Sequence, residues 1–226
     1  LLDNTSITGA GGVVYSLMSV IQAFGFFCGH GSGNFISRKL GAGERAEAER
    51  MASVGFYCAF LIGLLIMVFG LIFLRPLAYL LGSTDTIYPY AKDYLTYILL
   101  GAPFMCASLV LNNQLRFQGN AMFAMIGLTT GAVLNCVLDP LLILGAGMGI
   151  SGAAIATVAS QFVSFVLLYI GVARSDNIKI RLRNFRPNGR YLRAVLNGGA
   201  PSLCRQGIAA LGTICLNVAA GQFGDY

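Results

Sequence analysis

Asp139 stands in "LNCVLDPLLIL" (Leu134–Leu144) as the only formally charged residue between Phe117 and Ala173. A carboxylate in a nonpolar interior is costly to keep ionised, so it is neutralised, paired or bound to a cation. Asn135 lies four positions earlier, which on a helix puts both side chains on one face. At the flexible stretch "GAGMGISG" (Gly145–Gly152) the chain folds back. Thr157 then comes to the depth of Asp139, each about 9 Å from the bend on antiparallel neighbours. Pro140 cannot donate to the Cys136 carbonyl and so leaves a further oxygen beside the carboxylate. This oxygen set suits a hard cation such as Na⁺, and a lone intramembrane carboxylate equally suits a proton. The competing reading is hydrogen-bonded packing between helices, which polar side chains in membranes also provide.

Holding such groups together requires helices in a bilayer. Of the 226 residues 56% are hydrophobic and 11% charged, with a mean hydropathy of +0.72, outside the usual mix of soluble domains. A hydrocarbon core of ~30 Å takes about 20 apolar residues per helix. The uncharged runs place six spans at 13–37, 52–74, 93–115, 121–144, 151–174 and 199–224. Lys and Arg gather in the first, third and fifth connections, chiefly from Arg38 to Arg50 and from Arg174 to Arg193, while the fourth connection has none. Cytoplasmic loops retain such residues, so the odd connections face the cytoplasm and the 145–151 bend faces outside. The fold class is all-α, a polytopic membrane helix bundle.

The net charge of +6 sits in loops flanking apolar spans rather than on a basic, aromatic folded surface. That excludes nucleic acid and points to anionic lipid head groups. No Ser/His/Asp set in polar surroundings, no metal-ligand cluster and no phosphate loop is present, so no enzyme and no cofactor is expected. The six cysteines lie in or at the edges of spans without paired spacing and read as small core residues. His30, set among glycines, reads as packed rather than titrating. Gln22, Asn34, Asn112, Gln161, Gln206 and Asn217 are candidates for the lining of a polar cavity, as is Gln114, although helix contacts account for such residues too. Gly25, Gly29 and Gly33, and again Gly127 and Gly131, are spaced for close helix approach, and Pro103 and Pro201 mark kinks. "GAGERAEAER" is expected to form a short solvated helix along the membrane surface with a structural role. The start, "LLDNTSITGAGG", lacks the basic region of a signal peptide. The missing initiator Met, and the stop at "GQFGDY" directly after an apolar run, are those expected of a fragment.

Several stretches resemble the multidrug and toxic compound extrusion (MATE) transporters. "GHGSGNFISRKLGAGERAEAER" is similar to that family's second helix and following loop, and "NNQLRFQGN" to the end of its fourth helix. "GAVLNCVLDPLLILGAGMGISGAAIATVASQ" is similar to its fifth and sixth helices, and "GGAPSLCRQGIAALGTICLNVAAGQFGD" to the start of its seventh. The resemblance implies two six-helix lobes related by a pseudo-two-fold axis along the membrane normal, of which this chain carries helices two to seven. Residues 1–190 are then the N-terminal lobe without its first helix, and 191–226 the start of the C-terminal lobe. It also implies a cation-coupling site built from an Asn and an Asp of helix five, a Thr of helix six and an Asp of helix one. Asn135, Asp139 and Thr157 match the first three. Asp3 lies ahead of the second helix and does not stand in for the fourth, so a site in this chain is incomplete.

The expectation is an integral protein of a bacterial or archaeal cytoplasmic (inner) membrane. It is part of a secondary active antiporter, monomeric at full length, that exports small organic and often cationic compounds in exchange for Na⁺ or H⁺, with membrane lipid as its other partner. A lipid-linked oligosaccharide flippase of a related superfamily is the alternative within transport. It would need a basic central cavity, whereas the basic residues here sit in loops. A channel favours polar rings repeated by symmetry, and a seven-helix receptor does not require the Asn/Asp/Thr set.

Overall fold

The computed structural model describes residues 5–85, 87–175, 178–185 and 188–221, and among these every regular element is helical. Helix α1 (Thr5–Gly41) is followed by α2 (Arg45–Ile72), a short α3 (Leu74–Leu80) and α4 (Tyr88–Phe117). Next, α5 (Ala121–Pro140) runs into a π-helical turn at Leu141–Gly145, and α6 (Gly149–Arg174) returns. A single 3₁₀ turn (Leu182–Asn184) then leads to α7 (Gly189–Gly221). The bend between α5 and α6 depends on Gly147 and Gly149, whose φ values of 65° and 56° lie in the left-handed region that glycine alone enters without cost.

Close approach through glycine organises the bundle. A Cβ at Gly25 would sit 2.7 Å from Leu109, at Gly29 2.8 Å from Asn113 and at Gly33 2.1 Å from Phe117. Two stripes with a spacing of four thus mesh along α1 and α4. On the other side of the bundle Gly127 and Gly131 of α5 face Leu168 and Ser164 of α6, and Ser164 Oγ donates to the Gly127 carbonyl at 2.9 Å. Helix α4 is the centre, packed by α1, α2, α5 and α6, with Leu95, Leu99, Leu111 and Leu115 wholly buried. Helix α7 follows α1 alone for most of its length. Phe35 and Tyr191 meet edge to face near one end, and near the other Asn217 Nδ2 donates to the Gly12 carbonyl at 2.7 Å.

Five helices, Gly9–Gly41, Arg45–Ile72, Tyr88–Phe117, Ala121–Gly145 and Gly149–Arg174, are long and apolar enough to cross a bilayer among the described residues. The sixth expected span, 199–224, belongs to α7. Arg205, Gln206 and Asn217 dilute its apolar character, and its last residues lie outside those described. Helix α3 has no counterpart among the expected spans. The reading of "GAGERAEAER" as a separate surface helix is corrected: Arg45–Arg50 are the opening turns of α2, where acidic residues match the positive end of the helix dipole. They receive the segment before α7. The Lys179 N–H donates to Glu49 Oε1 at 3.3 Å, the Arg181 N–H to Ser53 Oγ at 3.3 Å, and Tyr191 Oη to Glu47 Oε2 at 2.9 Å. The first and fifth connections therefore share one face of the bundle, opposite the Gly145–Gly149 bend.

Candidate functional site

Asn135 and Asp139 lie on the last turns of α5, where Asn135 Nδ2 donates to Asp139 Oδ1 at 3.3 Å. Both are half-buried. Directly after them Pro140 ends the regular helix, and the chain widens into the Leu141–Gly145 π turn, closed by the Ala146 N–H on the Leu141 carbonyl at 3.0 Å. The missing donor at Pro140 takes this form because a residue without an N–H breaks the regular ladder and a wider turn restores bonding beyond it. Thr157, on the facing helix α6, donates Oγ1 to the Ala153 carbonyl at 2.9 Å and keeps its lone pairs free to accept.

Tyr94 joins them from α4. Its hydroxyl interacts with Thr157 and lies within electrostatic reach of Asp139. Asn135 and Asp139 thus pair on α5 while Tyr94 and Thr157 meet across α4 and α6, with Asp139 the one carboxylate near them. Tyr94 escapes the sequence reading because a tyrosine in a span reads as an interfacial aromatic. A usable signal exists: counted from the start of α4 at Tyr88, it lies about 9 Å deep, the depth assigned to Asp139 and Thr157.

The other polar residues separate into two groups. Asn112 Nδ2 donates to the Ala124 carbonyl at 2.8 Å, and Gln114 Nε2 to Ser32 Oγ at 3.2 Å and the Ala52 carbonyl at 3.0 Å. Asn217 bonds Gly12 and Ser16. These three tie helices together. Gln22, Gln161 and Gln206 are half-buried and Asn34 is exposed, with Gln161 one turn from Thr157 on α6. His30 is packed: Nδ1 lies 3.0 Å from the Phe26 carbonyl, and the ring sits between Phe26 and Phe117. Among the described residues no three His, Cys, Asp or Glu side chains gather as a metal site.

The family model described as MatE matches residues 3–141. The chain belongs to the MatE family. The multidrug export protein MepA of Staphylococcus haemolyticus is 27% identical over the whole chain, and that of Staphylococcus aureus strain MRSA252 is 26% identical. In each case the match takes up 50% of the relative, so the chain spans about half the length of these curated relatives. The inward-facing structure of a multidrug resistance MATE family transporter superposes with a TM-score of 0.90 at 28% identity, over 95% of this chain and 49% of that one. The outward-facing structure of such a transporter gives 0.83 at 29% identity, over 90% and 46%. With its apolar helices, this MatE chain is an integral protein of the cytoplasmic membrane.

Proposed function

We propose that the full-length protein is a monomeric secondary active antiporter that exports small organic, often cationic compounds in exchange for Na⁺ or H⁺. The observation that supports this reading is the Asn135–Asp139 pair, with the Tyr94 hydroxyl within electrostatic reach of Asp139 and interacting with Thr157. The names of the relatives, multidrug export proteins, support the substrate class. Coupling requires a group that is stable both with and without the ion. Asn135 supplies this to Asp139, because an amide donates to the bare carboxylate and offers its oxygen once a proton or Na⁺ arrives. Thr157 and Tyr94 add neutral oxygens at the same depth, and the Cys136 carbonyl freed by Pro140 is a further one.

The test is export of a fluorescent organic cation by the full-length protein in vesicles, with Na⁺ and pH gradients imposed separately. Asp139→Asn keeps size and hydrogen bonding but removes the charge, so insertion is retained while gradient-driven export is lost. Thr157→Val and Asn135→Leu weaken coupling less, since the carboxylate still attracts the ion. Normal gradient-driven export by Asp139→Asn would return the cluster to helix packing.

A further inference from the structure

A second polar feature lies at the cytoplasmic ends of α1 and α7, away from Asp139. Beside the crossing of Gly31 and Val195 the two helices leave a cleft of about 660 Å³, lined by Asn34, Ser37 and Arg38 from α1 and by Arg190, Arg193 and Asn197 from α7. The spacing is helical on both sides, since 34 and 38 are one turn apart and 190, 193 and 197 share a face. Phe35, edge to face with Tyr191 at 5.9 Å, holds the helices together beside the cleft.

Three guanidinium groups line this space and no carboxylate does. Among the described residues none of the three has an acidic partner, whereas nearby Lys39 pairs with Glu44 at 2.6 Å and Arg50 with Glu47 at 3.2 Å. Like charges gathered without a counter-ion repel, and the first turn of α7 adds the positive end of its dipole. The planar fork of arginine matches phosphate oxygens two at a time, and Ser37, Asn34 and Asn197 supply neutral donors. By the charge distribution of the connections the cleft lies at the level of the cytoplasmic head groups, where basic pockets between membrane helices take anionic lipid.

We propose that the cleft is a site for a phosphate oxyanion, and that its membrane level makes the head group of an anionic inner-leaflet lipid the occupant. Bound there, the phosphate neutralises three arginines and bridges α1 to α7. The site is independent of the coupling reading and would stand if Asp139 proved structural.

The experiment uses the full-length protein in nanodiscs of zwitterionic lipid, with phosphatidylglycerol added stepwise and bound lipid counted by native mass spectrometry. Saturable binding is expected, weakened about a hundredfold by Arg38→Gln/Arg190→Gln/Arg193→Gln and roughly fivefold by each single change. The single variants decide the matter should the triple fail to insert. Arg45→Gln/Arg174→Gln/Arg183→Gln removes the same charge from exposed positions outside the cleft and should bind as wild type. Inorganic phosphate is titrated in parallel: if it displaces the lipid at millimolar concentration the free ion is the occupant, and if it does not the lipid is. Equal weakening by both triples, or none by the cleft variants, overturns the proposal.

Discussion

Substituting Gly31 with alanine puts the α1–α7 contact to the test. The added Cβ would lie 2.4 Å from the Val195 carbonyl oxygen and 2.9 Å from its Cα. The obstacle is backbone, so no rotamer change relieves it. Reaching the 3.4 Å at which ordinary contact begins means parting the helices by about 1 Å, which forfeits much of the dispersion well along the whole seam. Overpacking of this kind costs about 1–3 kcal/mol, and a rigid obstacle places Gly31→Ala toward the upper end. Gly199→Ala meets the Phe27 carbonyl oxygen at 2.3 Å at the same crossing. One separation relieves both clashes, so the double variant should cost clearly less than the sum of the singles. Gly41→Ala is the control: nothing lies within 4 Å of its Cβ, and it should be neutral or slightly stabilising. Reversible unfolding of the full-length protein in mixed micelles reads all four. A Gly31→Ala variant as stable as Gly41→Ala, or strictly additive Gly31 and Gly199 effects, would refute the backbone-contact argument.

Tyr94→Phe removes the hydroxyl that reaches Thr157 and should raise the half-saturating ion concentration roughly fivefold, about one neutral hydrogen bond, with little change in maximal export; an unchanged ion dependence would remove Tyr94 from the site. In a cysteine-free background, a cysteine at Met148 should react only from outside and one at Arg183 only from the cytoplasm, and labelling of both from one side would break the topology. Burial and the hydrogen bond to Glu47 push the Tyr191 hydroxyl above its ordinary pKa of 10.0, so its stabilisation of the docked 178–185 segment is complete below pH 10 and is lost as pH rises through the raised value. Tyr191→Phe should speed amide exchange at Lys179 and Arg181 about tenfold at neutral pH, the worth of a bond to a charged acceptor, and equal exchange in the two proteins would show that the bond does not hold the segment.

The Asn135–Asp139 hydrogen bond is legible because the two stand four apart as isolated polar groups in an otherwise apolar run. The two glycine stripes are legible for a similar reason, their spacing of four marking the faces that close on α4 and α6. What escapes is of another kind. Gly31 and Gly199 belong to neither stripe and meet Val195 and Phe27 across most of the chain, pairings that no local pattern carries. Alternating Glu and Arg in Arg45–Arg50 is compatible with a surface helix or with the first turns of a span. What distinguishes them is that the helix runs unbroken from Arg45 to Ile72. A proline foretells an interrupted ladder at Asp139 but not whether the helix bends or widens, and here it widens.

The two faces of α1 become useful at different moments of synthesis. Gly25, Gly29 and Gly33 close on α4, but Phe27 and Gly31 wait for Val195 and Gly199 on α7. At translation rates of about 5–20 residues per second, the interval between making Gly31 and making Gly199 is roughly 10–30 s. During that time one groove of α1, lined by glycine and bare carbonyl, lacks the α7 surface that covers it. That surface favours backbone-close docking of any small-residue helix that passes. A nascent chain of this kind is vulnerable to mispairing at α1 until α7 arrives, and slower elongation through residues 175–199 would lengthen the exposure without changing a contact between the two helices.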